Sequence, residues 1–385
     1  MAVSLAKSYE NIIGQSTALV RLSWIKWNSG DYITAQAYAQ EAQRLAKVSV
    51  ILELEARGLY IEALCCQALG DYRECISLVK RARALQELCG LARGGRAYAL
   101  MNCQAEVHTL KSEYVHACNL HRQFLQDYQG VRLYHEAITL QNIAAVEVHM
   151  GVSYNVIQEK ISASQTIFNK TGNKVMMIAC DTIQADLNLR EGDISCSLFC
   201  KCLKFGLGRF SEIVSYCLQR LADVTRWSPH HDPSWSMILL AHSLKAKEKL
   251  GIYKALQFIG DVHLMQNDEV TAVNLFTVAL DGFTYMDVHR SRAECMIRLG
   301  DIAKKNGDLL KALELWETAR PLLECSSQAK RVQDIDERIG VISEEVKEQH
   351  QKNLTHLAEL NVPAEKVEEV DSDTEEEEQV ELSVA

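Results

Sequence analysis

The sequence contains very little proline: four residues in 385, none of them before Pro229. Proline breaks helices because it lacks the amide hydrogen and its ring clashes with the preceding turn, so the first 228 residues favour uninterrupted helix. Long apolar runs are absent as well, since the stretch from Met237 to Ala241 is far shorter than the roughly 20 residues that cross a bilayer. With 48% hydrophobic and 24% charged residues, we expect an all-α chain that folds in water and has no membrane anchor.

A concentrated positive charge is also missing. The formal net charge is −10, and residues 361–385 hold ten acids against one base, so residues 1–360 carry about −1. Non-specific binding to nucleic acid or to an anionic membrane requires a positive field. The charge distribution therefore favours neither of these partners.

A disulfide framework is not indicated by the thirteen cysteines, which are odd in number and lack regular spacing. The first fifteen residues lack the apolar stretch of a secretory signal. We therefore expect reduced thiols and a location in the cytoplasm or, alternatively, the nucleus.

An internal period of about 40 residues organises the chain. Gly30-Asp31-Tyr32 recurs as Gly70-Asp71-Tyr72, and a Gly-Asp pair returns at Gly307. A residue just after each turn anchors one of eight units, 35 to 42 residues apart: Ala35, Cys75, Ala117, Ile157, Cys196, Met237, Ala272 and Ala312. Apolar or small residues stand four and seven positions after most anchors, which predicts one buried stripe on a helix.

The turn chemistry agrees with this period. A glycine such as Gly30 can end one helix in the left-handed conformation, and the aspartate after it can cap the next helix. Each unit is therefore predicted to be helix, turn, helix. A single helical hairpin cannot bury its apolar face, so the hairpins are expected to stack into a superhelix with a concave binding face.

The last two units carry residues that point to a known family. They are Ile259, Gly260, Ala272, Phe276 and Ala279, followed by Leu299, Gly300, Ala303, Gly307, Ala312, Trp316 and Ala319. This pattern resembles the tetratricopeptide repeat (TPR) family, although the period is longer than the family's roughly 34 residues. The longer period is similar to that of arrays in kinesin light chains, in sensor arms of regulatory ATPases and in fungal proteins. The resemblance covers about residues 15–324 and implies an α-solenoid, a right-handed superhelix of about eight hairpins, that serves as a protein-interaction scaffold.

Three regions follow from this reading. Residues 1–324 form the predicted TPR-like α-solenoid, and residues 325–360 a C-terminal capping helix with a polar outer face. Residues 361–385 are too acidic to form a core and are expected to be a disordered tail. Ser372 and Thr374 have acids three residues downstream and are candidate phosphorylation sites.

Most sequence motifs of catalysis and metal binding are absent. No phosphate-binding Gly-x-x-x-x-Gly-Lys-Ser/Thr loop occurs, and the His-Glu pair at His135 lacks the second histidine of a zinc protease. The cysteines Cys196, Cys200, Cys202 and Cys217 suggest a metalloprotein as an alternative. We favour core packing for Cys196 and Cys200, which fall on the predicted stripe of the fifth unit, and a solvated loop for the pair at His230. We expect no enzyme activity, no cofactor and no metal.

The predicted concave face supplies the candidate binding residues. Asn102 and Asn142 lie 40 residues apart in the middle of first helices, so they should stack, and their amides can grip a peptide backbone. They could equally bond neighbouring helix backbones. Asp181, Asp261 and Asp301 occupy comparable helices and suggest a groove for a basic peptide, or else a solvated stripe of charge.

The favoured function is a non-catalytic adaptor whose concave groove binds a segment of a partner protein. The alternative is a subunit or sensor arm of a larger regulatory assembly whose nucleotide-binding module is on another chain. The partner's identity and the oligomeric state are left open by the sequence.

Overall fold

The computed structural model describes residue 6 and residues 11–91, 94–128, 132–193, 196–227 and 232–359. Within these ranges the chain forms seventeen α-helices and no strand. They are α1 (Ile12–Asn28), α2 (Tyr32–Val48), α3 (Leu52–Ala68), α4 (Tyr72–Leu88), α5 (Gly95–Leu110), α6 (Tyr114–Tyr128), α7 (Leu133–Met150), α8 (Tyr154–Lys170), α9 (Lys174–Arg190), α10 (Ser197–Gly206), α11 (Ser211–Thr225), α12 (Ser234–Ala246), α13 (Lys249–Met265), α14 (Glu269–Met286), α15 (His289–Lys305), α16 (Leu309–Cys325) and α17 (Ala329–Glu359). No helix in these ranges has the length and apolar character needed to cross a membrane.

The helices pack in chain order as antiparallel neighbours. Each odd-numbered helix from α1 to α15 pairs with the even-numbered helix that follows it, and α17 covers the last pair. The odd helices also contact one another, as α1 does with α3 and α11 with α13. This arrangement confirms the predicted α-solenoid of eight hairpins with a final helix, because each hairpin buries its apolar face only against its neighbours.

The Gly-Asp turns have the predicted chemistry. Gly30 and Gly307 both have φ of +82°, a left-handed conformation that costs little without a Cβ. Asp31 accepts a hydrogen bond from the amide of Thr34, and Asp308 accepts one from the amide of Lys311. These turns end one helix and cap the next.

The repeat motif reflects close packing between the two helices of a hairpin. A Cβ on Gly300 would lie 2.5 Å from Nε1 of Trp316, and a Cβ on Gly260 would lie 2.9 Å from the Phe276 ring. Both rings are buried. The glycine is therefore required because an aromatic side chain of the partner helix lies against the backbone at that point.

The fifth and sixth units do not follow the predicted stripe. Cys200 and Met237 are exposed, and the buried residues are instead Phe199 and Cys202 in α10 and Ser236, Leu239 and Ser243 in α12. The prediction of a buried Cys200 was wrong. The sixth unit lacks a Gly-Asp turn, whereas the fifth has one at Gly192. In both units a spacing of about 40 carried along the chain misplaces the stripe by one residue, which rotates a helical position by 100°.

The superhelix closes on itself, so early turns contact late helices. Asp71, in the turn of the second unit, accepts hydrogen bonds from Nζ of Lys249 at 2.8 Å and from the hydroxyl of Tyr285 at 3.0 Å. Its carboxylate makes no cap to its own helix. In the turn before it, a Cβ on Gly70 would lie 2.7 Å from Sδ of Met286. The second unit thus packs directly on the seventh.

Contacts of the same kind continue through the third and fourth units. Lys111 pairs with Asp287 at 2.9 Å, and the backbone amide of His289 donates to the carbonyl of Lys111 at 3.1 Å. Further along, the Gln328 side chain donates to the carbonyl of His149. We call this set of contacts between the second, third and fourth units and the chain from α13 to α17 the seam.

The final helix α17 packs on α16 through Ile335 and Ile342, both fully buried, with Val332 and Ile339 partly buried beside them. This agrees with a capping helix. The boundaries 324 and 360 stay predictions, and the acidic tail with Ser372 and Thr374 lies outside the described residues.

Candidate functional site

Closure of the superhelix surrounds a central cavity of about 270 Å³. Odd-numbered helices from both halves of the chain line it, namely α1, α3, α5 and α7 on one side and α11, α13 and α15 on the other. The first residues of α2, α4 and α6 also line it. Aromatic side chains from Trp27, Tyr72, Tyr114, Tyr216 and Phe258 line it together with charged groups. A concave, enclosed surface with aromatic and polar walls is the usual form of a ligand site.

The structure brings Asn102 and Asn142 together. Nδ2 of Asn142 donates to Oδ1 of Asn102 at 2.5 Å, and Nδ2 of Asn102 donates to Oε1 of Glu106 at 2.7 Å. The other oxygen of Glu106 accepts from Gln67 at 3.4 Å. The side chains thus form a polar ladder across α3, α5 and α7, and Gln67 reaches the cavity. The amide oxygen of Asn142 accepts no bond from the described residues.

The three aspartates are each paired with a base. Asp181 pairs with Lys201 at 2.9 Å, and Asp301 pairs with Arg338 at 2.9 Å. Asp261 is 2% exposed and accepts from Arg226 and, at 2.8 Å, from Arg298. Their charges are therefore balanced inside the chain.

One end of the cavity is a network of such pairs. Glu294 lies among Arg290, Lys254 and Arg331, and Asp223 lies between Arg220 and Arg226. Burial alone would raise the pKa of Glu294, but the neighbouring bases hold that pKa well below its usual value. The acids at this end are ionised and matched.

The opposite end holds carboxylates without a base. Glu212, in the first turn of α11, lines the cavity and is open to water within it. Burial, with Glu106 and Glu248 nearby, raises the pKa of Glu212 to about 8. Glu248 accepts a hydrogen bond from Ser215 at 2.5 Å, yet burial raises its pKa to about 7. Burial likewise raises the pKa of Glu106, which does not line the cavity itself but accepts a hydrogen bond from Gln67 of the cavity wall. We call Glu106, Glu212 and Glu248 the carboxylate cluster.

Tyrosines surround the carboxylate cluster. Tyr72 is 3% exposed, lines the cavity and has a hydroxyl without a hydrogen-bond partner in the described part of the chain. Burial and then the charge of Glu248 raise the pKa of Tyr72. Tyr60 is affected in the same way by Glu106 and Glu212.

The cysteine alternative finds no support in the geometry. Cys202 and Cys217 are buried with Ile178 in an apolar cluster, whereas Cys200 is exposed. Among the described residues, one group of three potential metal ligands comes together, and it consists of Glu113, Asp287 and His289 at the seam. The ammonium of Lys111 already bridges Glu113 and Asp287 there. The loop at His230 lies outside the described residues.

The carboxylate cluster was missed by sequence reasoning. Its members come from the third, sixth and seventh units, so their separation along the chain is not the repeat period. They meet because the superhelix returns on itself, and the number of units per turn depends on a small rotation at each hairpin. Glu106, one helical turn after Asn102, was the one available signal.

Comparison with known proteins gives a similarity of fold. No family model matches the chain, and no curated protein matches its sequence. The crystal structure of a Rap protein complexed with Competence and Sporulation Factor aligns with a TM-score of 0.52. The alignment covers 88% of this chain and 99% of that chain at 10% sequence identity. The chain therefore has a TPR-like helical repeat fold.

Proposed function

We propose that the protein is a non-catalytic scaffold that binds an extended segment of a partner protein in its central cavity. The observation that carries this proposal is the enclosure itself: residues of ten helices from both halves of the chain line one cavity of about 270 Å³. Such a shape suits a few residues of an extended chain, with its ends leaving between the helices. The Rap protein of similar fold was crystallised with Competence and Sporulation Factor, which is in keeping with a ligand-binding superhelix.

The polar ladder suits a peptide backbone. Asn102 and Asn142 hold each other in position by a direct hydrogen bond, and the free amide oxygen of Asn142 can accept from a backbone amide. A segment would have to displace Arg226 and Arg298 to reach Asp261. We therefore assign Asp181, Asp261 and Asp301 the part of holding neighbouring helices in register. Asn142 does not line the cavity itself, so we assign it a contact with the segment where the segment leaves the cavity. This activity is that of an adaptor protein, and we propose the cytoplasm as its location.

Site-specific photo-crosslinking tests the proposal. Gln219 lines the cavity, so its replacement by p-benzoylphenylalanine places a crosslinker inside. The matched control carries the same residue in place of Glu159, which is exposed on α8. After irradiation in a lysate of the source organism, mass spectrometry identifies the attached peptides.

We expect the crosslinker at position 219 to attach to one contiguous segment of a partner protein that position 159 does not capture. An Asn102→Ala/Asn142→Ala variant should weaken that capture while keeping its helical circular dichroism. The proposal fails if position 219 captures nothing beyond what position 159 captures.

A further inference from the structure

The negative charge of the carboxylate cluster is not neutralised by a base of the described residues. Ser215 donates to Glu248, and Gln67 and Asn102 donate to Glu106, but no lysine or arginine of the described residues pairs with any member of the cluster. Every other acid named above on the cavity wall has a base beside it. Glu212 and Glu248 share the wall of one enclosed cavity, where a ligand of opposite charge would pair with them.

The unpartnered hydroxyl of Tyr72 is a second and independent observation. A buried polar group without a hydrogen bond costs free energy, and Tyr72 lines the same cavity as Glu212 and Glu248. The rings of Tyr60 and Trp27 pack against the same apolar cluster as Tyr72, and Trp27 also lines the cavity. Aromatic faces next to carboxylates are a favourable environment for an organic cation.

The spacing of the cluster excludes a small metal ion. The ligand atoms of the three carboxylates do not converge, because the one convergent group of potential ligands in the described residues is that of Glu113, Asp287 and His289. An ammonium or guanidinium on a flexible side chain is larger and reaches acids that stand further apart. It also donates the hydrogen bonds that carboxylates and a tyrosine hydroxyl accept.

We propose that the carboxylate cluster binds the cationic head of a lysine or arginine side chain carried by the partner segment. The inference rests on the proposed function and deepens it, since it names the residue type that anchors the segment. The acids at the other end of the cavity already pair with bases of the chain, so the carboxylate cluster is the part of the cavity that can bind a cationic side chain.

Binding of such a cation depends on pH in a defined direction. The titratable groups whose charges interact with Glu212 are Tyr32, Tyr60, Cys103, Glu106 and Glu248, and none of these is a base. On the packed helix α12, Nε2 of His242 lies 3.4 Å from Oγ of Ser211, the residue before Glu212. Glu212 with a pKa of about 8 is mostly protonated at neutral pH and ionises above it. A cation that requires the ionised form should bind up to roughly eightfold more tightly at pH 8.5 than at pH 7.0.

A random heptapeptide phage library is the probe for the test. It is panned against the full chain, a Glu212→Gln/Glu248→Gln variant, and a Glu345→Gln/Glu348→Gln variant. The last pair is exposed on α17 and changes the net charge equally, so it controls for general attraction of basic peptides. A Gln219→Trp variant, which fills the cavity, identifies peptides that bind elsewhere. Enriched peptides are then titrated calorimetrically at both pH values.

We expect the parent and the α17 variant to enrich lysine or arginine at one position, and the cluster variant to lose both that preference and the pH dependence. Cavity-dependent peptides without a fixed cation, or with one that the cluster variant keeps, would overturn the inference and leave the scaffold proposal standing. If the parent enriches nothing that Gln219→Trp loses, both proposals fall.

Discussion

Replacing Gly70 by alanine tests whether the second unit packs on the seventh. Gly70 has φ of +80°, and an added Cβ would lie 2.7 Å from Sδ of Met286 and 3.1 Å from Cβ of Lys249. The chain provides a matched control, since Gly307 has φ of +82° in the same kind of turn but has nothing within 4 Å of an added Cβ.

The two substitutions share one cost and differ in another. An alanine in the left-handed conformation costs about 1 kcal/mol at either position. At Gly70 the Cβ also has to displace Met286 and the backbone near Lys249, and such overpacking costs about 1–3 kcal/mol more. Gly70→Ala should therefore destabilise the seam by that difference, whereas Gly307→Ala should leave the seam unchanged.

Native-state hydrogen exchange of the last turn of α14 and the first turn of α13 is the assay. Each 1.4 kcal/mol lost from local stability speeds exchange about tenfold, so Gly70→Ala should accelerate these amides by roughly tenfold or more. Gly307→Ala should accelerate only amides near its own turn. Equal protection of α13 and α14 in the two variants would refute the contact between the second and seventh units.

Three further outcomes are expected. Arg226→Met removes a base from the buried carboxylate of Asp261 and should lower the free energy of unfolding by about 3 kcal/mol in urea titrations, whereas Lys347→Met, at an exposed ion pair, should change it by less than about 0.5 kcal/mol. The Glu212→Gln variant should be more stable than the parent at pH 8, and this difference should be lost by pH 5. The pKa of Glu212 is about 8 in the folded protein, which is above its pKa in the unfolded chain, so ionisation of Glu212 opposes folding only above the unfolded pKa. Equal thermal midpoints at pH 8 would contradict this. Burial lowers the pKa of His121 to about 4, so the parent should lose up to about 3 kcal/mol as pH falls from 6.5 towards 4, and His121→Gln should lose less.

Local chemistry made most of the fold predictable. Gly30, Gly307 and the aspartates after them have the turn roles that their residue types favour, and the Gly300 and Trp316 pair explains the motif that identified the helical repeat. The predicted buried stripe was wrong where the turn lacks a glycine and an aspartate, as at Met237, which is exposed. The 40-residue period predicts which residues are buried only where a recognisable turn fixes the first residue of the helix.

The candidate site was predictable only in part. Asn102 and Asn142 meet as their 40-residue separation suggested, because adjacent hairpins stack in register. Glu212 and Glu248 face Glu106 across the superhelix, and no spacing in the sequence encodes how many hairpins complete one turn. The partners of Asp261 were missed for a simpler reason: Arg226 and Arg298 come from neighbouring units 35 and 37 residues away, which a search for acids alone does not reveal.

Zero-length carbodiimide crosslinking of the monomer is the most direct test of the central claim that the superhelix closes and so builds the cavity. The reagent joins a carboxylate to an amine in direct contact, and Asp71 lies 2.8 Å from Nζ of Lys249 although 178 residues separate them. The pair Asp181 and Lys201, in adjacent helices, is the internal control. Closure predicts both crosslinks in the monomer fraction. Recovery of the Asp181–Lys201 crosslink without the Asp71–Lys249 crosslink would contradict it.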